Sequence, residues 1–405
     1  MPAAIAPSPR SSPAFRSLPP LSLYVHLPWC LKKCPYCDFN SHEWRGAGGP
    51  PENAYVDALV ADLEHALPSV WGRRVVTVFL GGGTPSLFAP EAVDRLLAAI
   101  RARVMLAADA EITMEANPGT FERARFEGFR DAGVNRLSIG VQSFTPRHLA
   151  ALGRVHDAAE ARAAAAAAVE IFDEVNLDLM VGLPGQVAGD ALNDVETALA
   201  FRTTHLSCYR LTLEPNTLFH RHPPQLPDDD EAADIEEAVA ERLAAAGFAH
   251  YEVSAWARPG HRCVHNQNYW RFGDYLGIGA GAHGKVSMPD GSIVREVRWK
   301  QPKQYVERAA SGEPVMERRE VAPDERGFEF MLNALRLTEG VPAALFAERT
   351  GVPIASIARE IGTATARGLL DPDPAVLRAT SLGRRFLNEL VALFLRDRPR
   401  TKGPA

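Results

Sequence analysis

At 405 residues the chain exceeds what one hydrophobic core usually organises, so a large domain with an appendage is expected. Hydrophobic residues at 46% and charged residues at 23% exclude a disordered chain, and no apolar run approaches the length of a bilayer span. The formal net charge of -6 offers no overall attraction to nucleic acid.

The first twenty residues, MPAAIAPSPRSSPAFRSLPP, carry Arg and Ser without any acid, as organelle-targeting segments do. Their six prolines prevent the amphipathic helix that such segments need, so residues 1–20 are expected to be a disordered leader on a cytoplasmic protein. From residue 21 to 250, short β-rich runs alternate with helical patterns, which points to parallel strands joined by crossover helices. The strand runs are LYVHLP, VVTVFLGG, ITMEANP, RLSIGVQ, VNLDLMVGLP and LSCYRLTLEP, and the helical segments are 52–67, 90–104, 121–132, 157–172, 188–202 and 229–246. The alanine run in ARAAAAAAVE is a strong helix former whose small side chains suit close packing on a sheet. Six units are too few for a closed eight-stranded barrel. The fold class expected is therefore α/β, a partial (β/α)6 barrel with its active site at the C-terminal ends of the strands.

Residues 251–318 change character, with many aromatics, Gly and His, and read as an extension carrying HNQNYW. Residues 319–395 turn helical again, and helix, helix, GLL and a short extended piece resemble a small C-terminal winged-helix-like domain. DNA reading would require a basic recognition helix, and IASIAREIG is not one, so a structural or partner-binding role is expected there. Residues 396–405 read as a tail.

Cysteine is sparse, five in all, yet Cys30, Cys34 and Cys37 crowd into CLKKCPYCDFN. An odd count with three crowded members speaks for a reducing compartment and a metal rather than a disulfide framework. A structural zinc site would have to recruit a fourth ligand such as His26 or His42. An iron–sulfur cubane normally takes four thiolates, so three would leave one iron open to a small chelating ligand that could receive an electron. The cysteines directly follow the first strand, at the end where β/α enzymes do their chemistry. Lys32 and Lys33 would favour ionised thiols and offset cluster charge; their plainer reading is solvated loop charge.

FLGGGTPS follows the second strand and lacks the Lys-Ser/Thr that ends a Walker loop. Gly82 and Gly83 would let backbone approach a ligand closely, with Thr84 offering a hydroxyl. Glu115, Gln142, Arg154 and Asp178 sit at or just beyond the ends of later strands, hence at the barrel mouth. Arg154 suits a carboxylate, Glu115 and Asp178 suit an ammonium or ribose hydroxyls, and Gln142 suits either. Tyr24 and Tyr36 flank the cysteines, either to shield a cluster from water and oxygen or as core aromatics.

Cys-x3-Cys-x-Tyr-Cys after a first strand resembles the signature of the radical S-adenosylmethionine (SAM) enzymes. The resemblance implies a 4Fe-4S cluster on Cys30, Cys34 and Cys37, with SAM chelating the open iron through its methionine part. It also implies reductive cleavage of the sulfonium to a 5′-deoxyadenosyl radical, and an electron donor such as flavodoxin or ferredoxin. In that family the Gly-Gly-x-Thr-Pro-like turn receives the SAM amino group, and Glu115, Gln142, Arg154 and Asp178 follow the order of the SAM contacts.

LYVHLPWC, GGGTPS, EANPGT, GVQSF, GRVHD and DLMVGLPGQ, with the C-terminal module, resemble the oxygen-independent coproporphyrinogen III oxidase group over residues 22–392. The oxidase of that group carries a further cysteine two positions after the third cluster ligand, where this chain has Phe39. HNQNYW, residues 265–270, resembles the His-Asn-x-x-Tyr-Trp motif of the related haem chaperones. That implies haem as a further cofactor, with His265 as the candidate iron ligand and Tyr269 and Trp270 as aromatic surface beside the macrocycle. Without the resemblance, a histidine in such a loop reads as a hydrogen-bonding residue. Four of the twelve histidines, His250, His261, His265 and His283, fall between positions 250 and 283, which enriches the region for ligands. The function implied is a haem chaperone that passes haem to membrane respiratory proteins. The alternative is SAM-dependent oxidation of coproporphyrinogen III to protoporphyrinogen IX, against which Phe39 speaks.

Overall fold

The computed structural model describes residues 15–46, 48–120 and 122–395. All six expected strands form: β1 (Leu21–Leu27), β2 (Arg74–Gly82), β3 (Met105–Ala116), β4 (Arg136–Gln142), β5 (Glu174–Val181) and β6 (His205–Arg210). Each is followed by its helix: α1 (Glu52–Val70), α2 (Pro90–Arg103), α3 (Arg123–Ala132), α4 (Ala158–Ile171), α5 (Ala188–Ala200) and α6 (Asp229–Ala245). The strands pair in parallel in chain order, as β/α units dictate.

Period-two alternation divides every strand between two faces. Leu21, Leu23, Val25 and Leu27 of β1, Val78 and Leu80 of β2, and Leu137, Ile139 and Val141 of β4 join the core beneath the helices. The alternate positions, among them Ser22, Thr77, Ser138, Asn176 and Ser207, are polar and hydrogen-bond one another across the concave face. Two runs of alanine positions on α4, Ala161 with Ala164 and Ala165 with Ala168, are fully buried, so the low-complexity stretch is packing surface.

The sheet continues beyond the six units. After β7 (Ala249–Glu252), β8 (Ala255–Ala257) and α7 (Val264–Trp270) come β9 (Asp274–Ile278), β10 (His283–Ser287), β11 (Ile293–Arg298), α8 (Pro302–Ala310) and β12 (Val315–Glu320). Among the described residues they complete a twelve-stranded sheet in the order β12-β11-β10-β9-β1-β2-β3-β4-β5-β6-β8-β7. β9 runs parallel to β1, making a seventh parallel strand. Residues 251–318, expected as a separate extension, therefore build both edges of the barrel sheet. β9 escaped the strand pattern because all five of its residues are buried, so nothing alternates, and the glycines that follow read as loop.

A second core gathers Phe330, Met331, Phe346, Ile357, Leu370 and Leu390. It belongs to α9 (Arg326–Ala334), β13 (Val341–Pro342), α10 (Ala344–Thr350), α11 (Ala358–Ala366) and β14 (Val376–Leu377), with β13 and β14 antiparallel. Helices interleaved with the two strands of a small antiparallel pair fit the winged-helix-like expectation. The leader expectation needs correction for its last residues: Phe15 packs on this second core, and the Pro19 carbonyl accepts from Arg73 at 2.6 Å. The Asp274 N–H donates to the Pro20 carbonyl at 2.9 Å, so 15–20 belong to the fold. Positions 1–14 and the expected tail 396–405 lie outside the described residues. No helix among the described residues is long and apolar enough to cross a membrane.

An ion pair with no exposure on either side chain ties these parts together: Arg298 Nε, at the end of β11, donates to Asp62 Oδ1 of α1 at 2.9 Å. Arg298→Met leaves that carboxylate enclosed without its cation and should cost about 3–5 kcal/mol. The double variant Asp62→Asn/Arg298→Met should lose less than the sum of the single changes. Urea unfolding of the four proteins checks both, and strict additivity would refute the coupling.

Candidate cluster and cofactor site

β1 leads directly into the cysteine loop. Trp29–Cys30 pairs with His42–Glu43 as a short parallel ladder, which closes the base of the loop and leaves residues 31–41 to carry Cys34 and Cys37. The glycine turn after β2 lies against that base: Gly83 N–H donates to the Leu27 carbonyl at 2.8 Å and Thr84 N–H to the Trp29 carbonyl at 2.7 Å. Glycine is required at both turn positions. Gly82 has φ of 115°, where a Cβ would overlap the His26 ring, and a Cβ on Gly83 would overlap the backbone of Trp29.

A cavity of about 350 Å³ opens at this end of the barrel. Its walls bring together Cys30, Cys34, Cys37, Tyr36, Gly82, Gly83, Thr84, Glu115, Gln142, Arg154 and Asp178, residues of successive strands and of the loops that follow them. Ser138, Asn176 and Tyr209 were missed. Ser138 and Tyr209 also line the cavity, and Ser138 and Asn176 position Asp178, donating to its carboxylate at 3.1 and 2.8 Å. Their signal was present in the alternation of polar residues along β4, β5 and β6.

Burial sets the electrostatics. It pushes the Glu115 carboxyl up to about 7, with Asp178 adding to the rise, although Gly82 N–H donates to Glu115 Oε2 at 3.0 Å. Burial likewise pushes the Asp178 carboxyl above its usual range. Two enclosed carboxyls facing one cavity favour a cationic ligand. Arg154 supplies the opposite sign: Nη2 donates to the Gly140 carbonyl at 2.7 Å and Nη1 lies 3.5 Å from both Cys34 Sγ and Tyr36 Oη. Among the described residues its enclosed Nε has no acceptor, a lack that a ligand carboxylate would satisfy. Gln142 holds φ of 68° at the end of β4, left-handed backbone of the kind that collects at ligand clamps.

The thiols have separate neighbours. Cys30 Sγ accepts from Thr84 at 3.5 Å, Cys34 faces Arg154, and Cys37 Sγ lies 3.4 Å from Ser41 Oγ. Among the described residues no three His, Cys, Asp or Glu side chains converge as a single ion requires; tetrahedral zinc would bring sulfurs to about 3.8 Å of one another. His26 is also removed as a zinc ligand, since Tyr24 Oη donates to its Nδ1 and its Nε2 donates to the Asn40 carbonyl, each at 3.0 Å. All three thiols line one cavity, each beside a different hydrogen-bonding neighbour, as three ligands of one cluster would. Lys33 braces the loop, its Nζ donating to the Phe39 and Ser41 carbonyls, and burial pushes the Cys30 thiol up rather than down.

Tyr24 and His265 do not line the cavity. Tyr24 lies within β1, bonded to His26 and stacked on Phe79. His265 opens α7 at the opposite end of the barrel, where the Glu111 carboxylate accepts from the N–H groups of Val264 and His265 at 3.0 and 2.9 Å. Its ring is 8% exposed, sits 4.9 Å from the Phe79 ring, and bonds Thr77 Oγ1 through Nδ1 at 2.8 Å. Thr77 lies five residues before Gly82, so along β2 its own Cα is roughly 16 Å from the glycine turn. Burial lowers its pKa to about 3, so the imidazole is neutral. Asn268 completes the plug, donating to Ser22 Oγ at 2.8 Å and to the Asp274 carbonyl at 3.0 Å. Trp270 packs under Arg336, with the guanidinium 4.3 Å from its ring. The structure thus places His265 in the barrel floor, apart from the cavity, with its ring packed and hydrogen-bonded there.

A partial barrel whose first strand delivers three thiols to a cavity with a glycine turn, two buried carboxyls and an arginine is a radical SAM architecture. Residues 24–198 match the Radical SAM superfamily, and residues 321–386 match the HemN C-terminal domain. Over 381 residues the chain is 49% identical to the heme chaperone HemW of Escherichia coli (strain K12), covering 94% of this chain and 99% of the relative. It is 45% identical over 385 residues to heme chaperone HemW of Haemophilus influenzae, with 94% and 99% covered. The chain belongs to the HemW family. The solved structure of coproporphyrinogen III oxidase (HemN) from Escherichia coli shares the fold, with a TM-score of 0.78 at 25% identity over 95% of this chain and 91% of that one.

With His265 as floor packing, His265→Ala should destabilise the protein by about 2–4 kcal/mol, from lost ring packing and a lost buried hydrogen bond. Iron per chain after anaerobic reconstitution should be unchanged. Urea unfolding and an iron assay on the same preparation check both.

Proposed function

We propose that this protein is a haem chaperone that holds a 4Fe-4S cluster on Cys30, Cys34 and Cys37, binds SAM at the open iron, and passes haem to membrane respiratory proteins. A flavodoxin or ferredoxin would supply the electron, and the cytoplasm is the compartment proposed. The observation that carries the reading is near-full-length identity of 49% to a protein named heme chaperone HemW. Phe39 supports it: the position at which the resembled oxidase has an extra cysteine is filled by a ring that is 63% exposed at the cavity mouth.

The chain's own residues divide the work of binding. Glu115 and Asp178 offer negative charge to an ammonium or sulfonium, Arg154 offers its unpaired Nε to a carboxylate, and the Gly82–Gly83 backbone allows close approach. Tyr36, packed near Phe219, covers the loop on one side and limits water. Cys30, Cys34 and Cys37 would hold the cluster, whose chemistry there would be one-electron reduction of the sulfonium. For haem, the HNQNYW segment offers Tyr269 and Trp270, while ligation by His265 requires its ring to leave Thr77.

Haemin added to the reconstituted protein should produce a Soret band that His265→Ala leaves in place, and coproporphyrinogen III with SAM and reductant should give no protoporphyrinogen. Loss of the band in a folded, iron-replete His265→Ala would restore the ligand role to that residue. Porphyrinogen turnover would replace the chaperone reading with the oxidase one.

The raised Glu115 carboxyl adds a pH test. It is about half protonated at pH 7 in the free protein, and a cationic ligand favours its ionised form. SAM affinity should therefore rise about tenfold from pH 6 to pH 8. In Glu115→Gln this rise should disappear; equilibrium binding of SAM at three pH values measures it, and a rise persisting in the variant would remove Glu115 from the SAM site.

A further inference from the structure

The cysteine loop ends in Phe39-Asn40-Ser41, and the Asn40 side chain reaches away from the cavity into the far part of the sheet. Its Nδ2 donates to the carbonyls of Ala280 and Lys300, both at 2.9 Å, while the main-chain carbonyl of Asn40 accepts from His26 Nε2 at 3.0 Å. One amide therefore joins the cluster loop to segments 240 and 260 positions away in sequence. The space is reserved: Gly281 has φ of 77°, and a Cβ there would overlap the Asn40 amide.

The turn that Asn40 grips is itself fixed. Gly279 N–H donates to Asp62 Oδ2 and to Tyr305 Oη, each at 3.1 Å, and Ala280 N–H donates to Tyr55 Oη at 2.8 Å. Tyr55 Oη in turn donates to the His26 carbonyl at 2.8 Å. Next to Asn40, Ser41 is buried, and its hydroxyl lies 3.4 Å from Cys37 Sγ. A hydrogen bond to a cluster thiolate stabilises the added negative charge of the reduced state, and excluding solvent slows oxidative loss.

We propose that Asn40 is a positioning residue for the cluster: by fastening the cysteine loop to the Gly279–Gly281 turn, it holds the Ser41 hydroxyl on Cys37 and so sets the reduction potential and air stability of the centre. The inference rests on the assignment of the cluster to Cys30, Cys34 and Cys37.

The test uses the full chain reconstituted anaerobically. Asn40→Ala should keep its iron, show a lower midpoint potential and altered g-values of the reduced cluster, and lose the cluster several-fold faster in air. Ser41→Ala should shift the potential in the same direction, and Asn40→Ala/Ser41→Ala should shift it no further than either single change. Gly281→Ala, outside the cysteine loop, perturbs the same contact and should shift the potential likewise, which keeps the test available where Asn40→Ala does not fold. Unchanged potential, spectrum and air lifetime in an iron-replete variant would overturn the proposal. A wild-type chain that takes up no iron would overturn the cluster assignment and this inference together; iron content separates the two failures.

Discussion

The structure depends on a carboxylate placed where water cannot reach it. Asp62, in the middle of α1, receives Arg298 Nε on one oxygen and Tyr305 Oη and Gly279 N–H on the other. An enclosed charge persists only when its lone pairs are met, so this one residue dictates where β11, α8 and the turn after β9 must lie. Tyr55, two turns earlier on the same helical face, repeats the device with a neutral group, joining β1 through the His26 carbonyl to the same turn through Ala280. The buried face of α1 thereby fastens the seventh parallel strand to the first, and the cysteine loop that leaves the first strand inherits a fixed seat.

That arrangement explains which parts of the fold could be read from sequence. The six β/α units announce themselves because each strand alternates between a helix-covered face and a polar interior, and each ends in a turn residue. β9 does not, because a strand covered on both faces loses the alternation that identifies it, and because its location is set by Asp62 and Tyr55, far away in the chain. The site was legible for a related reason: Glu115 and Gln142 are polar residues at strand ends, Asp178 lies in the C-terminal half of its strand, and the C-terminal ends of parallel strands share one mouth. Asn40 was not legible. An asparagine in a loop carries no periodic signal, and its partners are backbone carbonyls, which leave no trace in side-chain chemistry.

His265 shows the converse case. Imidazole, amide, phenol and indole within six residues are the chemistry of a ligand site, but they are also the chemistry needed to close the polar interior of an open barrel. Ser22 and Thr77 leave hydroxyls at the floor, and His265 and Asn268 satisfy them from one helix. The same polar interior continues upward, with His205 donating from Nδ1 to Asn176 at 2.7 Å and Asn176 donating to Asp178, so the Asp178 carboxyl at the mouth stands on a hydrogen-bonded column. Enclosure in such a column keeps the local dielectric low, which raises the Glu115 carboxyl and would strengthen its hold on any cation that enters.

Phe39 and Asn40 are neighbours with opposite tasks. Asn40 is bound at both its amide and its carbonyl, and the Lys33 ammonium holds the Phe39 carbonyl at 2.9 Å, so the backbone between them has little freedom. A ring on backbone fixed in this way cannot collapse into the core, and Phe39 stays at the mouth with most of its surface in water. Burying such a ring against a partner recovers roughly 2 kcal/mol that the free protein forgoes, without the ordering cost a mobile loop would incur. The bonds that fasten Asn40 behind the loop therefore also fix where the Phe39 ring stands in front, at the mouth of the cavity.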